Sequence, residues 1–158
     1  MKRAIALLEK HNLLKIISDE LDINLEIPHI AYVEVKKADS KAILFTNVVD
    51  RKNGKKFKEP VLMNVFCNED AVKLFIGDGD KIGSEIESLL KLKPPVTFSE
   101  KLSTLGKLFS LKNTIPKKIK GKGICQEVIK LGADAKLSDL PVIKTWEEDG
   151  GPFITMGQ

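Results

Sequence analysis

Cysteine is scarce in this 158-residue chain: Cys67 and Cys125 are the whole supply, far apart and without neighbours at metal-ligand spacing. That argues against a disulfide framework and a cysteine zinc site and points to reduced thiols. The basic start Met1-Lys2-Arg3 leads into a segment broken by Glu9, Lys10 and His11, with no small-residue cleavage site, so a cytoplasmic protein is expected. Histidine is as rare. His11 and His29 stand alone, with no Gly-x-Ser-x-Gly elbow or cysteine motif to supply a nucleophile, which leaves no hydrolase triad. His11 is expected near the carboxyl end of a first helix, where a cationic ring suits the dipole, and His29 on a helix surface or interface. Apolar runs stop at four or five residues, far short of the ~20 that a membrane span needs. Aromatics are only 6% of the chain, too few for the stacking platform of a single-strand nucleic-acid binder.

Charge of one sign is also missing, since 26 Lys and Arg against 22 Asp and Glu leave only +4. The basic run Lys112, Lys117, Lys118, Lys120 and Lys122 has only Phe109 near it and reads as a solvated connector, so no nucleic-acid partner is expected. What remains is ordinary: 42% hydrophobic and 30% charged residues, the composition of a soluble domain. A chain of this length buries on the order of 68–70% of its unfolded surface.

Ala4, Ile5, Leu7 and Leu8 recur at helical spacing within 2–10, and Leu13 to Ile17 reads as a strand. Leu25 to Val35 is two-sided. Pro28 suits the first turn of a helix in which Ile27, Ile30, Ala31 and Val35 share a face, whereas Tyr32, Val33 and Val35 favour a strand; the helix is preferred. Ala42 to Phe45 and Pro60 to Phe66 read as paired strands, with hairpin chemistry at Asn53-Gly54 between them. Ala71, Val72, Phe75 and Ile76 predict a helix, Gly77-Asp78-Gly79-Asp80 a stop, and Ile82, Ile86, Leu89 and Leu90 a second helix ending before Pro94-Pro95. Thr97 to Glu100 fits a capping box for a third helix carrying Leu102, Leu105, Leu108 and Phe109, ending before Pro116. Cys125 to Ile129, Leu140 to Trp146 and Phe153 to Met156 read as three further strands. A final strand with nothing after it to pair with leaves an open edge.

The glycine-aspartate break at 77–80 is neither a phosphate loop, because its acids repel an anion, nor a calcium loop, because the later glycine and closing Glu are missing. Trp146-Glu147-Glu148-Asp149-Gly150-Gly151-Pro152-Phe153-Ile154-Thr155 is different. Three carboxylates crowd ahead of a Gly-Gly-Pro turn whose backbone can approach another group closely. Crowded carboxylates raise one another's pKa or gather a cation, although solvation is the default for an acidic turn.

This segment resembles the Trp-Pro-Glu-Asp-Gly-Gly-Pro-hydrophobic-Ile-Thr signature of the UbiD family, reversible decarboxylases of aromatic and unsaturated acids that use prenylated FMN. Leu25-Glu26-Ile27 with Ile30-Ala31, Ala42 to Phe45, Pro60 to Phe66 and Leu140 to Ile143 follow the family's order and spacing, so the resemblance covers the whole chain as the N-terminal portion of a longer member. Glu147 departs from it, standing where members commonly have Pro.

The resemblance implies an α/β (α+β) fold with a small mixed sheet and flanking helices: an N-terminal domain over 1–122, then residues 123–158 leading into the first strand of a split β-barrel that holds the flavin. It implies prenylated FMN with manganese and potassium in the full-length enzyme, an aromatic or unsaturated acid as substrate, a flavin prenyltransferase as cofactor supplier, and a possible homo-oligomer. Thr155 alone occupies a position that lies beside the cofactor in the family; its residue-level alternative is a strand Thr with a satisfied hydroxyl. The catalytic Glu-Arg-Glu or Glu-Arg-Asp group follows this point in members, so the chain by itself is expected to bind no flavin and catalyse no decarboxylation. The other readings of its role are a non-catalytic assembly or binding module and one half of a two-chain enzyme.

Overall fold

The computed structural model describes residues 1–91, 116, 118, 120–123 and 126–154. Two units make up the chain, one of Met1–Gly79 with Lys136–Gln158 and one of Asp80–Ala135.

The first unit begins with helix α1, Lys2–Lys10. Its end is set by Asn12, one of the few side chains that tolerate a left-handed backbone, at φ 56°. There Leu13 N–H donates to Leu8 O (2.8 Å) and Asn12 N–H to Glu9 O (3.0 Å), a pair of bonds that closes the last turn and sets Leu13 against fully buried Leu8. His11 is the C-cap residue, as its position in the sequence suggests.

The chain then runs through strand β1 (Leu14–Asp22), helix α2 (Glu26–Val35) and strand β2 (Ala42–Asp50). Strands β1 and β2 pair in parallel, so α2 is the crossover that a parallel pair requires. A bulge between Ile17 and Glu20 shifts the register from Ile17 opposite Phe45 to Glu20 opposite Asn47. On the other side of β2 lie two short antiparallel strands, β3 (Lys55–Lys56) against Val49 and Asp50, and β4 (Val61–Met63) against Ile43 to Phe45. The β2–β3 turn follows its sequence: Asp50 accepts from Asn53 N–H (3.1 Å), and Gly54 supplies φ 61°. The sheet is therefore mixed, four-stranded and built around β2.

Ile27 of α2 packs with Ile23, Ile43, Phe45, Val48, Phe57 and Val61, and Ile30, Met63 and Ile143 cover this core. Asn64, at φ 56°, ends β4 early and donates through Nδ2 to Ala31 O of α2 (2.7 Å). The helix reading of 25–35 holds, with Pro28 in the first turn where its missing N–H has no partner to lose.

Helix α3 (Glu69–Ile76) starts at Asn68, whose side chain accepts from Ala71 N–H (2.9 Å), and ends at Gly77 with φ 101°. Helix α4 (Gly79–Leu90) starts only two residues later, so Gly79 and Asp80 open a helix and only Gly77 acts as the stop. The third helix and its capping box lie outside the described residues.

The strand expectations of the last third are corrected. Residues 126–129 form turns and bends, 132–134 and 137–139 are single 3₁₀ turns, and neither 140–146 nor 153–154 joins a ladder. Among the described residues of these stretches, one isolated parallel bridge, Asn24 with Lys144, remains. The physical reason is that strand propensity reports fit to a paired surface rather than a backbone preference. Pro141 and Pro152 each remove a ladder donor, and Phe153 N–H finds Ile143 O (3.2 Å) without a second strand forming. Cys125, Thr155 and Met156 lie outside the described residues.

Candidate functional site

The Trp146–Gly151 turn is held against the junction of β1 and α2 by backbone bonds on both sides of Lys144. Lys144 N–H donates to Ile23 O (3.2 Å) and Leu25 N–H donates to Lys144 O (3.1 Å). Leu25 takes a strained φ of 70°, and Glu26 N–H reaches back to Asn24 O (3.0 Å), a γ-turn at the start of α2. Glu26 then accepts from Asp22 N–H (2.8 Å) and pairs with Arg51, which also donates to Glu20 O (3.2 Å). The Asp22 N–H bond, followed by Arg51, holds the Glu26 carboxyl below the usual carboxylate range. These side chains also occupy backbone groups of β1, blunting that edge of the sheet.

The turn is closed by its own residues. Trp146 N–H donates to Asp149 Oδ2 (2.9 Å), Asp149 N–H donates to Trp146 O (3.2 Å), and Lys144 Nζ donates to Glu147 O (2.9 Å). Asp149 is thus a turn-forming residue. The described residues contain no group of three His, Cys, Asp or Glu able to hold a metal ion. The glycines also behave differently from expectation: a Cβ on Gly150 or Gly151 would meet nothing within 4 Å, so neither is needed for a close approach.

Trp146 meets Tyr32 of α2 edge to face, with centroids 5.4 Å apart at 76°, and Lys36 Nζ sits 4.9 Å over the Tyr32 ring. Between the turn and α2 lies an open cleft of about 460 Å³ walled by Pro28, His29, Tyr32, Trp146, Glu147 and Glu148. His29 is exposed on that wall, as the sequence suggests. A second cleft of about 610 Å³ lies beside Phe57, Leu137, Leu140, Val142, Pro152 and Ile154, with Lys55 bonded to Asp139 (3.2 Å) at its rim.

No nucleophile and base are brought together among these groups. The arrangement positions a peptide segment; the described side chains do not assemble an acid-base pair. Thr155 lies outside the described residues. Tyr32 and Arg51 escaped sequence reasoning because each acts on residues distant in the chain, and neither stands in a motif of its own.

A family model for the 3-octaprenyl-4-hydroxybenzoate carboxy-lyase N-terminal domain matches residues 5–90, more than half of the chain. The chain belongs to this family, UbiD. A second UbiD model, for the carboxy-lyase Rift-related domain, matches residues 117–158, which include the whole Trp146 turn. An uncharacterized protein of Helicobacter pylori is 40% identical over 163 residues, covering 100% of this chain and 26% of the relative. An uncharacterized protein of Aquifex aeolicus is 37% identical over 154 residues, covering 96% of this chain and 30% of the relative. The chain spans between a quarter and a third of the length of these curated relatives.

Proposed function

We propose that this chain supplies the N-terminal domain of a UbiD decarboxylase acting on an aromatic or unsaturated carboxylic acid, such as a polyprenyl-hydroxybenzoate in quinone biosynthesis. The observation that carries the reading is the order of the two carboxy-lyase matches, 5–90 and 117–158, along one chain. We propose with it the domain division of residues 1–122 as the α/β domain and 123–158 as the connection into a split β-barrel. A cytoplasmic location is proposed with it; among the described residues no helix is long and apolar enough to cross a membrane.

In this reading prenylated FMN, with manganese and potassium, would supply the decarboxylation chemistry in the full-length enzyme. The described residues do not fit that group, since no metal-ligand cluster forms and the clefts beside Trp146 and Leu140 bring no acid-base pair together. The role proposed for this chain is accordingly structural: the backbone bonds of Lys144 to Ile23 and Leu25 hold the Trp146 turn at the start of α2. We assign Thr155, the residue after Ile154 in the sequence, the position beside the cofactor.

The test is reconstitution. The pure chain, incubated with prenylated FMN, manganese and an aromatic acid, is expected to release no carbon dioxide above background. A chimera in which it replaces the matched quarter of the Helicobacter pylori relative is expected to bind the flavin and decarboxylate. Turnover by the chain alone, or a folded chimera without bound flavin, overturns the reading.

A further inference from the structure

Two aromatic rings and three carboxylates share the walls of the open cleft of about 460 Å³ between α2 and the Trp146 turn. The rings touch each other edge to face, yet Tyr32 is 44% and Trp146 51% exposed. Cations already gather around this cleft, and each is committed. Lys36 sits over the Tyr32 ring, Arg51 pairs with Glu26, and Lys144 Nζ donates to the Glu147 carbonyl. The Glu147 and Glu148 carboxylates differ from Glu26, because among the described residues neither has an ion-pair partner, and no cation lies over Trp146. His29 is the basic side chain of the lining, with no lysine or arginine beside it, so an anion meets no fixed positive charge there. An exposed indole next to unneutralised carboxylates attracts a cation that is also flat and weakly hydrated.

We propose that this cleft binds the guanidinium of an arginine side chain presented by a peptide segment, stacked on Trp146 and paired with Glu147 or Glu148. The site goes beyond the decarboxylase reading and does not depend on it. A guanidinium fits both features at once, since its plane stacks on an indole while its N–H fork donates to a carboxylate. A lysine ammonium is compact and strongly hydrated, so it gains less from the ring. A quaternary ammonium wants rings on several sides, whereas Lys36 already holds Tyr32 and leaves Trp146 as the free ring. The cleft volume lies within the range of about 300–1,000 Å³ usual for ligand pockets, which leaves room for the residues flanking the arginine.

Trp146 is the only tryptophan of the chain, so its fluorescence reports on this cleft directly. The full chain is titrated with acetyl-Gly-Arg-Gly-amide and with the same peptide carrying citrulline, which keeps the shape of arginine and removes its charge. The arginine peptide is expected to change the emission saturably and to bind about tenfold or more tightly than the citrulline peptide. Glu147 and Glu148 are exposed, so the double variant Glu147→Gln with Glu148→Gln keeps the fold. It is expected to weaken the arginine peptide about tenfold and to leave the citrulline peptide within about twofold. Proton–nitrogen correlation spectra give a second readout: the Trp146 indole N–H and the His29 amide are expected to shift with the arginine peptide, with the amides of β2 unmoved. Equal affinity for the two peptides overturns the proposal, as does arginine binding that the double variant leaves unchanged. Tighter binding of acetyl-Gly-Lys-Gly-amide or of tetramethylammonium overturns the assignment of the guanidinium.

Discussion

Replacing Asn68 separates two jobs that one side chain performs at the start of α3. Its Oδ1 accepts from Ala71 N–H (2.9 Å) and its Nδ2 donates to Ser40 O (2.8 Å). Ser40 is 2% exposed, and its own hydroxyl donates to Cys67 O, so the loop before β2 and the loop before α3 are joined through buried polar groups. Asn68→Ala removes an N-cap, a loss of about 1 kcal/mol, and leaves the Ser40 carbonyl short of a donor, which adds about 1–2 kcal/mol. The expected total of about 2–3 kcal/mol corresponds to a fall in Tm of about 5–10 °C for a chain of this size. Asn68→Ser keeps the cap and loses only the donor, so its loss falls near half of that. Urea unfolding followed by far-ultraviolet circular dichroism gives both values, with an unchanged slope against denaturant showing that the unfolded state is the same. Ser84→Ala, which removes only the exposed bond to Lys81 O, serves as the control and is expected to shift stability by less than about 0.5 kcal/mol. An Asn68→Ala loss no greater than this control refutes the capping argument. An Asn68→Ser protein as stable as the parent refutes the Ser40 half.

Phe45→Ala, at 1% exposure in the middle of β2, is expected to cost about 3–5 kcal/mol in the same unfolding assay. Glu34 pairs with Lys37 (2.7 Å) and Lys15 (3.7 Å); the Lys37 hydrogen bond holds its carboxyl below the ordinary 4.5. A folded value lowered in this way gives stability that is present above about pH 4.5 and lost as pH falls through the folded value. Glu34→Gln is therefore expected to be less stable than the parent at neutral pH and to converge with it in acid; a gap constant across a pH series of urea melts contradicts this. Leu25 carries φ 70°, so Leu25→Val, with its branched β-carbon, is expected to lose about 1 kcal/mol or more relative to Leu25→Gly, and equal stabilities would remove the claim of strain.

The elements legible in the sequence were those whose signals are local. The β2–β3 turn was legible in Asn53-Gly54 and the end of α3 in Gly77, each a tolerated φ or a short-range backbone bond; the stop of α1 at Asn12 and the cap of α3 at Asn68, although as local, were not read. The family was legible too, because the Trp146 segment and the apolar runs before it keep their order along the chain. The acidic turn was left between solvation, the default, and a shared carboxylate site. Three adjacent carboxylates suggested a shared site, but Asp149 spends its oxygen on Trp146 N–H, a choice made by turn geometry.

By itself the sequence determined composition, helical periods, turns and membership of the UbiD family, since these depend on residues within a few positions of one another or on their order. Tertiary structure decided which strand-forming runs become strands. Ala42 to Asp50 does so because β1, β3 and β4 all pair with it, whereas Leu140 to Trp146 has the propensity and only one bridge, Lys144 with Asn24. The tertiary fold also brought Tyr32 to Trp146 and Arg51 to Glu26. A ladder and a ring contact each need a partner from elsewhere in the chain, and a single stretch of sequence does not name its partner.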